Sequence, residues 1–304
     1  MNKYLLCLLA MAAGSMSAQQ RVYVSTFGND ANPCNTVSQP CATFQGAISK
    51  ANAGGTVFAL DSADFGPVNI NSSVTIDGGE HGAFISTMNT GVQIGANAAI
   101  VLRNLSIVLL VGANSVTGIS GTLFGQSLTL DHVSVSTVGG NGVQTTTGIQ
   151  LNLVPNAKVN LKDVNVESMQ YGILLSPDAG NPAVPFLATL ENVSVYASVN
   201  GLSAIDGEMT IRNSSFLGGS LSTGITIGAN SSAPVSLIEN TRIANSNVGI
   251  FATGGQTLRL SNDVISRNGT GINASGGATV ISYRNNVFAG NTNDGTSALA
   301  TSLK

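Results

Sequence analysis

Residues 190–202 read LENVSVYASVNGL: an aliphatic residue, a charged one, Asn192, an aliphatic three residues on at Val195, then Gly201 followed by Leu202. The same unit returns along the chain. Its first half recurs at Leu102-Arg103-Asn104, Leu130-Asp131-His132, Leu161-Lys162-Asp163, Ile211-Arg212-Asn213, Ile238-Glu239-Asn240, Leu260-Ser261-Asn262 and Tyr283-Arg284-Asn285. Its second half recurs at Gly118-Ile119, Gly148-Ile149, Gly172-Ile173, Gly224-Ile225, Gly249-Ile250 and Gly271-Ile272. Successive polar anchors are 28, 31, 29, 21, 27, 22 and 23 residues apart, and from Asp163, Asn192, Asn240 and Asn262 the glycine follows after 9 residues each time. A period of this size, with insertions on some turns, marks a solenoid.

The repeats are rich in Val, Ile, Thr, Gly and Asn with period-two alternation, which excludes a helical solenoid and predicts an all-β chain, a parallel β-helix of about ten coils. In such a stack each residue sits above its equivalent at a spacing of about 4.8 Å. The aliphatic residues flanking the anchor then form inward columns. The anchors Asn104, His132, Asp163, Asn192, Asn213, Asn240, Asn262 and Asn285 form a polar ladder at a turn, because Asn tolerates left-handed backbone and its amide can bond to the coils on either side. The residue before each anchor is Arg103, Asp131, Lys162, Glu191, Arg212, Glu239, Ser261 and Arg284, so six consecutive coils alternate in sign. An exposed pair is worth only about 0–1 kcal/mol. The alternation therefore acts mainly on register, since a slip of one coil would stack like charges.

The N-terminus, MNKYLLCLLAMAAGSMSAQQ, has an early lysine, an apolar run and small residues, the pattern of a signal peptide spanning residues 1–18 with cleavage after Ala18, or after Ser17. Cys7 lies inside the apolar run, so lipoprotein processing is not expected, and the apolar stretch Ser106 to Val111 is too short to span a bilayer. The chain is therefore read as secreted or periplasmic. Cys34 and Cys41 in NPCNTVSQPC then read as a disulfide, worth about 2–3 kcal/mol, and no second Cys/His pair is present to complete a zinc set. Residues 19–55 hold this loop, a strand at RVYVS and a helix in TFQGAISKAN, whose Phe44, Ala47, Ile48 and Ala51 share one face. That helix is expected to cap the open end of the core. The solenoid is expected over 56–290 and a tail over 291–304. Charged residues make up 9% of the chain and the net charge is −3, so nucleic acid and anionic membranes are poor partners. Capped ends argue against end-to-end fibres, and a monomer is expected.

The repeat resembles that of right-handed parallel β-helix proteins of the pectin-lyase-like superfamily over about residues 56–290. The front end, from RVYVS through the cysteine loop to SVTIDGG, and the closing NDGTSALATSLK are similar to a group of secreted bacterial β-helix proteins with a cysteine loop and a helical cap. That resemblance implies the fold; it does not by itself imply an activity. Pectate lyases of this kind use calcium held by acids and an arginine base near a proline and a second arginine, and Arg103, Arg212 and Arg284 belong to the charge column instead. Polygalacturonases use clustered aspartates with Gly-His-Gly and Arg-Ile-Lys segments, whereas this chain has Arg242-Ile243-Ala244 and Asn291-Thr292-Asn293-Asp294 in the wrong order.

The nearest approach to an acid/base set is Asp77, Glu80 and His81 in DGGEH, with Asp61 and Asp64 as the nearest to calcium ligands; as turn acids they would simply be solvated. His132 reads as a substitute for Asn in the ladder rather than as a catalyst. No phosphate loop, nucleophile elbow, HExxH or calcium-repeat motif occurs. The sequons at Asn104 and Asn192 fall on ladder positions that could not carry a glycan. Among aromatics, Tyr171, Tyr196, Phe124 and Phe186 stand out, and Phe124 and Phe186, in the insertions SGTLFGQS and SPDAGNPAVPFL, are read as core or loop anchors rather than as sugar-stacking platforms. The expectation is an exported, non-catalytic binder or structural element at the cell surface or in the extracellular matrix, with polysaccharide as ligand and no cofactor. The alternative is a divergent polysaccharide lyase or glycoside hydrolase, the only reading that calls for Ca2+.

Overall fold

The computed structural model describes residues 20–300 apart from 81, 96–97, 113, 124–125, 140–144, 179–183, 231–232 and 296–298. The expected signal segment, His81 and Phe124 lie outside the described residues. Three parallel stacks of short strands run along the molecule. In the first, Leu102, Leu130, Leu161, Leu190, Ile211, Ile238 and Leu260 pair in register from coil to coil. In the second, the column is Ile85, Ile107, Val135, Val166, Val195, Phe216, Ile243, Ile265 and Phe288. In the third it is Val92, Ile119, Ile149, Ile173, Leu202, Ile225, Ile250 and Ile272. All but the terminal Phe288 are buried, and together they form one continuous core. Burying each such side chain contributes about 1.5–3 kcal/mol, so the aliphatic columns hold the rod together.

About eight regular turns, from the coil that opens at Ile100, replace the ten or so expected. The strands before them are three to five residues long and give shorter, irregular coils. Strand pairing also reaches further than 56–290. Arg21–Val24 pairs with Gly55–Ala59 at the front, and Asn293–Gly295 and Leu299–Ala300 pair at the back.

Cys34 and Cys41 are disulfide-bonded and buried, and the loop they close is stitched to the first strand by Tyr23 N–H to the Cys34 carbonyl (2.8 Å) and Cys41 N–H to the Tyr23 carbonyl (2.8 Å). The helix is confined to Phe44–Ile48, shorter than TFQGAISKAN, because the Asn52-Ala53-Gly54-Gly55 run has poor helix propensity. Thr43 caps it by accepting the Gly46 N–H (2.9 Å), and Asp30 accepts from Ala42 N–H, Thr43 N–H and the Thr43 hydroxyl. Phe44 packs on Phe65 with ring centroids 5.2 Å apart. No described helix is long and apolar enough to cross a membrane.

The repeated glycine answers to close approach between coils rather than to unusual backbone. A Cβ on Gly172 would lie 2.4 Å from the Gly201 carbonyl oxygen and 2.4 Å from Val195 Cγ1; on Gly201 it would lie 2.4 Å from the Gly224 carbonyl oxygen. Gly172→Ala is thus expected to cost about 1–3 kcal/mol by overpacking. Gly219→Ala, where a Cβ meets nothing within 4 Å, should leave the thermal midpoint nearly unchanged. Thermal melts of the two variants check this.

Candidate functional site

Of the described residues nearest to an acid/base or cation set, Asp77 and Glu80 line one groove, and Asp61 and Asp64 do not line it. Asp61 accepts from the Ser25 hydroxyl (2.9 Å), the Thr26 N–H (3.1 Å) and the Thr26 hydroxyl (2.6 Å). Asp64 accepts from Gly66 N–H (3.0 Å), Ser86 N–H (3.0 Å) and the Ser86 hydroxyl. Both thus fasten loops to neighbouring strands. Asp77 is 5% exposed and accepts from Gly79 N–H (3.0 Å), Arg103 Nε (2.8 Å) and Asn104 Nδ2 (2.9 Å), with Arg103 Nη2 also at 2.8 Å. Glu80 is exposed and shares with Asp77 a groove of about 340 Å3, together with Phe58, Leu60 and Asn104. Four donors on one carboxylate leave Asp77 no lone pair directed at a substrate proton.

The register explains Asp77. It pairs with Arg103, and the column continues through Asp131, Lys162, Glu191, Arg212 and Glu239 to Ser261. Seven charged residues in seven consecutive coils alternate strictly in sign. Direct ion pairs close at Arg103–Asp77 (2.8 Å) and Arg212–Glu239 (2.9 Å). Arg284 does not belong. The last coil carries one extra residue, so the position beyond Leu260↔Ser282 falls to Tyr283.

The ladder sits one residue further on. Asn104, His132, Asp163, Asn192, Asn213, Asn240 and Asn262 all have φ between 51° and 59°. In the last coil that backbone belongs to Arg284 (φ 62°) rather than Asn285, by the same one-residue insertion. Asn262 Nδ2 donates to Asn240 Oδ1 (3.1 Å), Asn240 Nδ2 to Asn213 Oδ1 (2.6 Å), and Asn213 Nδ2 to Glu191 Oε1 (2.5 Å). Asn192 Nδ2 donates to Asp163. Asn285 still touches the ladder, as its Oδ1 accepts the Asn262 N–H (3.0 Å). His132 stands between two acids, with Nδ1 2.8 Å from Asp131 Oδ1 and Nε2 3.5 Å from Asp163 Oδ2. Asp131, His132 and Asp163 are the one group among the described residues whose ligand atoms lie within 4.8 Å of one another as a metal would need, but Lys162 Nζ at 3.9 Å from Asp163 opposes a cation there.

Two further polar columns were missed by sequence reading because they are interior. At the residue after the anchor, coils carry Leu105, Val133, Val164 and Val193, then Ser214, Thr241, Asp263 and, in the shifted last coil, Asn286. Each polar member accepts a backbone N–H from the coil before: Val193 to Ser214 Oγ (3.0 Å), Thr241 to Asp263 Oδ1 (2.9 Å), Asp263 to Asn286 Oδ1 (2.7 Å). At the second turn, Ser246 N–H donates to Asn268 Oδ1 (3.0 Å) and Asn268 N–H to Asn291 Oδ1 (2.9 Å). The signal was there: from Ser214 onward the chain breaks its strand after the anchor, and the freed N–H groups need side-chain acceptors.

Two more grooves open on the last coils. One, of about 400 Å3, is lined by Glu208, Thr210, Glu239, Arg259 and Tyr283, with Arg259 Nη1 3.4 Å from the Tyr283 hydroxyl. The other, of about 410 Å3 at the second turn, is lined by Ser220, Asn245, Ser246, Asn247, Arg267 and Thr292. Of the aromatic candidates, Phe186 is buried and Tyr196 is 53% exposed.

Two outcomes follow for these carboxylates. Asp77→Ala, which strands the buried Gly79 N–H and the half-buried Arg103 and Asn104 donors, should cost about 1–3 kcal/mol, whereas Glu80→Ala should stay within about 0.5 kcal/mol, both read from denaturant midpoints. Asp263 is buried, and desolvation pushes its carboxyl up to about 7 against the Thr241 and Ser261 N–H groups that favour the anion. The unfolded chain releases this proton near the ordinary value of 3.8. Between those two values the folded chain holds the extra proton, so the contribution of Asp263 to stability falls as pH rises from 4 through 7. Asp263→Asn should flatten that dependence in unfolding curves at pH 4.5, 6 and 8.

A family profile described as the right handed beta helix region matches residues 147–303. Among solved structures, the chain is similar to a rhamnogalacturonan lyase at 10% identity, covering 81% of this chain and 74% of that one with a TM-score of 0.59. It is also similar to the lacto-N-biosidase of Eubacterium ramulus at 13% identity, covering 93% and 67% with a TM-score of 0.60. A pectate lyase matches at 14% identity over 94% and 79%, with a TM-score of 0.56. At such identities the likeness is one of fold. No curated protein matches in sequence.

Proposed function

The chain belongs to the right-handed β-helix family, with the pectin-lyase-like fold, and on that premise we propose that it is an exported protein that binds polysaccharide without transforming it. The observation that carries this reading is an outward row on the second stack. Ser106, Ser134, Asn165, Ser194 and Ser215 stand in register over five consecutive coils, each between two inward neighbours, aliphatic in the first four coils and Ser214 and Phe216 in the fifth. A parallel row, Thr129, Asn160, Thr189 and Thr210, runs on the first stack. Each row presents hydroxyls and amides at about 4.8 Å intervals along a line. An extended polymer with repeating hydroxyls can exchange hydrogen bonds with such a line at many points, each weak and together sufficient. Tyr196, half exposed two residues beyond Ser194, offers a ring face on which a sugar can stack. The disulfide supports an oxidising destination.

The lyase or hydrolase alternative draws on the groove that gathers Glu208, Glu239 and Arg259, and on the names of the structural neighbours. Against it, Glu239 is already paired with Arg212, and Asp77 with Arg103. Calcium belongs to that alternative alone. Affinity electrophoresis through gels containing pectin, alginate, xylan or cellulose derivatives separates the two. Retardation is expected in at least one gel, weakened by Tyr196→Ala and by Ser194→Arg, with no new reducing ends and no unsaturated uronate absorbance. Product release from any of these polymers, with or without added Ca2+, overturns the reading.

A further inference from the structure

Charge is unevenly placed along the rod. Residues 20–240 hold six Lys/Arg against thirteen Asp/Glu, net −7, whereas residues 241–300, which build the last coils, hold four arginines against two aspartates, net +2. One of those aspartates, Asp263, is buried, which leaves Asp294 as the exposed acid. Arg259 stands on the first stack, Arg284 at the first turn, Arg242 on the second stack and Arg267 at the second turn, so cations follow one another around this end. All four are exposed, and none closes an ion pair among the described residues, although Arg103 and Arg212 do. The same end is open. Val287–Ala289, Asn293–Gly295 and Leu299–Ala300 each pair with the coil before, and no described strand lies beyond them. Val287 is 51% exposed, beside half-buried Phe288.

The front end has the opposite sign. Residues 20–100 hold Arg21 and Lys50 against Asp30, Asp61, Asp64, Asp77 and Glu80, net −3. The cysteine loop already occupies the outer edge of the first strand, through the hydrogen bonds that Tyr23 makes with Cys34 and Cys41. Beyond it stands Phe27, 92% exposed, in the turn that Asp61 fastens through Thr26, with exposed Asp30 three residues on. We infer that copies of this chain associate head to tail, the arginine-bearing last coils of one meeting the acidic front end of the next. Charge complementarity selects this arrangement: side by side, copies would press together residues 101–240, net −4, whereas head to tail a +2 end meets a −3 end. Val287 and Phe288 offer Phe27 apolar surface, and a guanidinium over its ring adds a cation–π contact. Because the cysteine loop holds the edge of the first strand, side chains make the contact and the sheet does not run on from one copy into the next. Each addition leaves one end free, so the product is a row of rods rather than a closed dimer. The monomer expected from the sequence is then the species at high salt. None of this depends on the polysaccharide reading.

Sedimentation velocity of the purified protein over a wide concentration range tests this at about 0.01 M and about 1 M salt, where the screening length is about 30 Å and about 3 Å. At low salt the mean sedimentation coefficient is expected to rise with concentration, and at high salt single copies should remain. Arg267→Glu with Arg284→Glu, and separately Phe27→Lys with Glu80→Lys, should each abolish the rise; all four side chains are exposed, so the fold is kept. An equal mixture of the two double variants should form one-to-one pairs and nothing longer, since each supplies the unaltered end that the other lacks. That pairing also requires both to be folded. No rise at low salt, a rise that survives 1 M salt, a rise retained by either double variant, or a mixture that forms no pairs overturns the inference.

Discussion

Parallel pairing of each coil with the next is the constraint on which everything else here depends. It places every residue about 4.8 Å from its own equivalent, so the physics of a position is the physics of a column. Aliphatic columns such as Leu102 to Leu260 gain from this, since like stacks on like without a gap. Charges do not, and the chain answers by alternating them from Asp77 to Glu239. Glycine columns arise from the same cause, because at Gly148, Gly172 and Gly201 each coil presses its backbone onto the next.

Turns are where stacking leaves backbone groups without partners, and the molecule satisfies them with three different polar columns. The outer ladder uses Asn because the turn is left-handed. The inner column of Ser214, Thr241, Asp263 and Asn286 and, at the second turn, Asn268 and Asn291 use side chains that accept the N–H of the coil before. Asp263 shows the strain in this arrangement: two N–H donors favour its anion while burial opposes it, and burial wins.

Most acids in this chain are therefore structural. Asp61, Asp64 and Asp77 each accept from three or more donors, and Glu239 balances Arg212. What remains for recognition is the outward surface, made of short polar side chains in line and one half-exposed tyrosine.

The sequence by itself determined the solenoid, its columns and its turn, because a repeat read against its own copies reports which residues share an environment. The anchors from Asn104 to Asn262 and the alternating charges from Arg103 to Glu239 were legible for that reason. Only the tertiary structure decided membership at the ends and in the interior. Asp77 lies in a coil too irregular to align, so its place opposite Arg103 needed the register. Asn285 aligned with the ladder from the strand that follows it, but a one-residue insertion hands the left-handed turn to Arg284. The interior roles of Asp263 and Asn268, and the gathering of Ser246, Arg267 and Thr292 around one groove, depend on which turns open away from regular pairing. That is settled by packing between coils: polar residues recur after the anchor from Ser214 onward, but the chain does not show which backbone N–H each one meets.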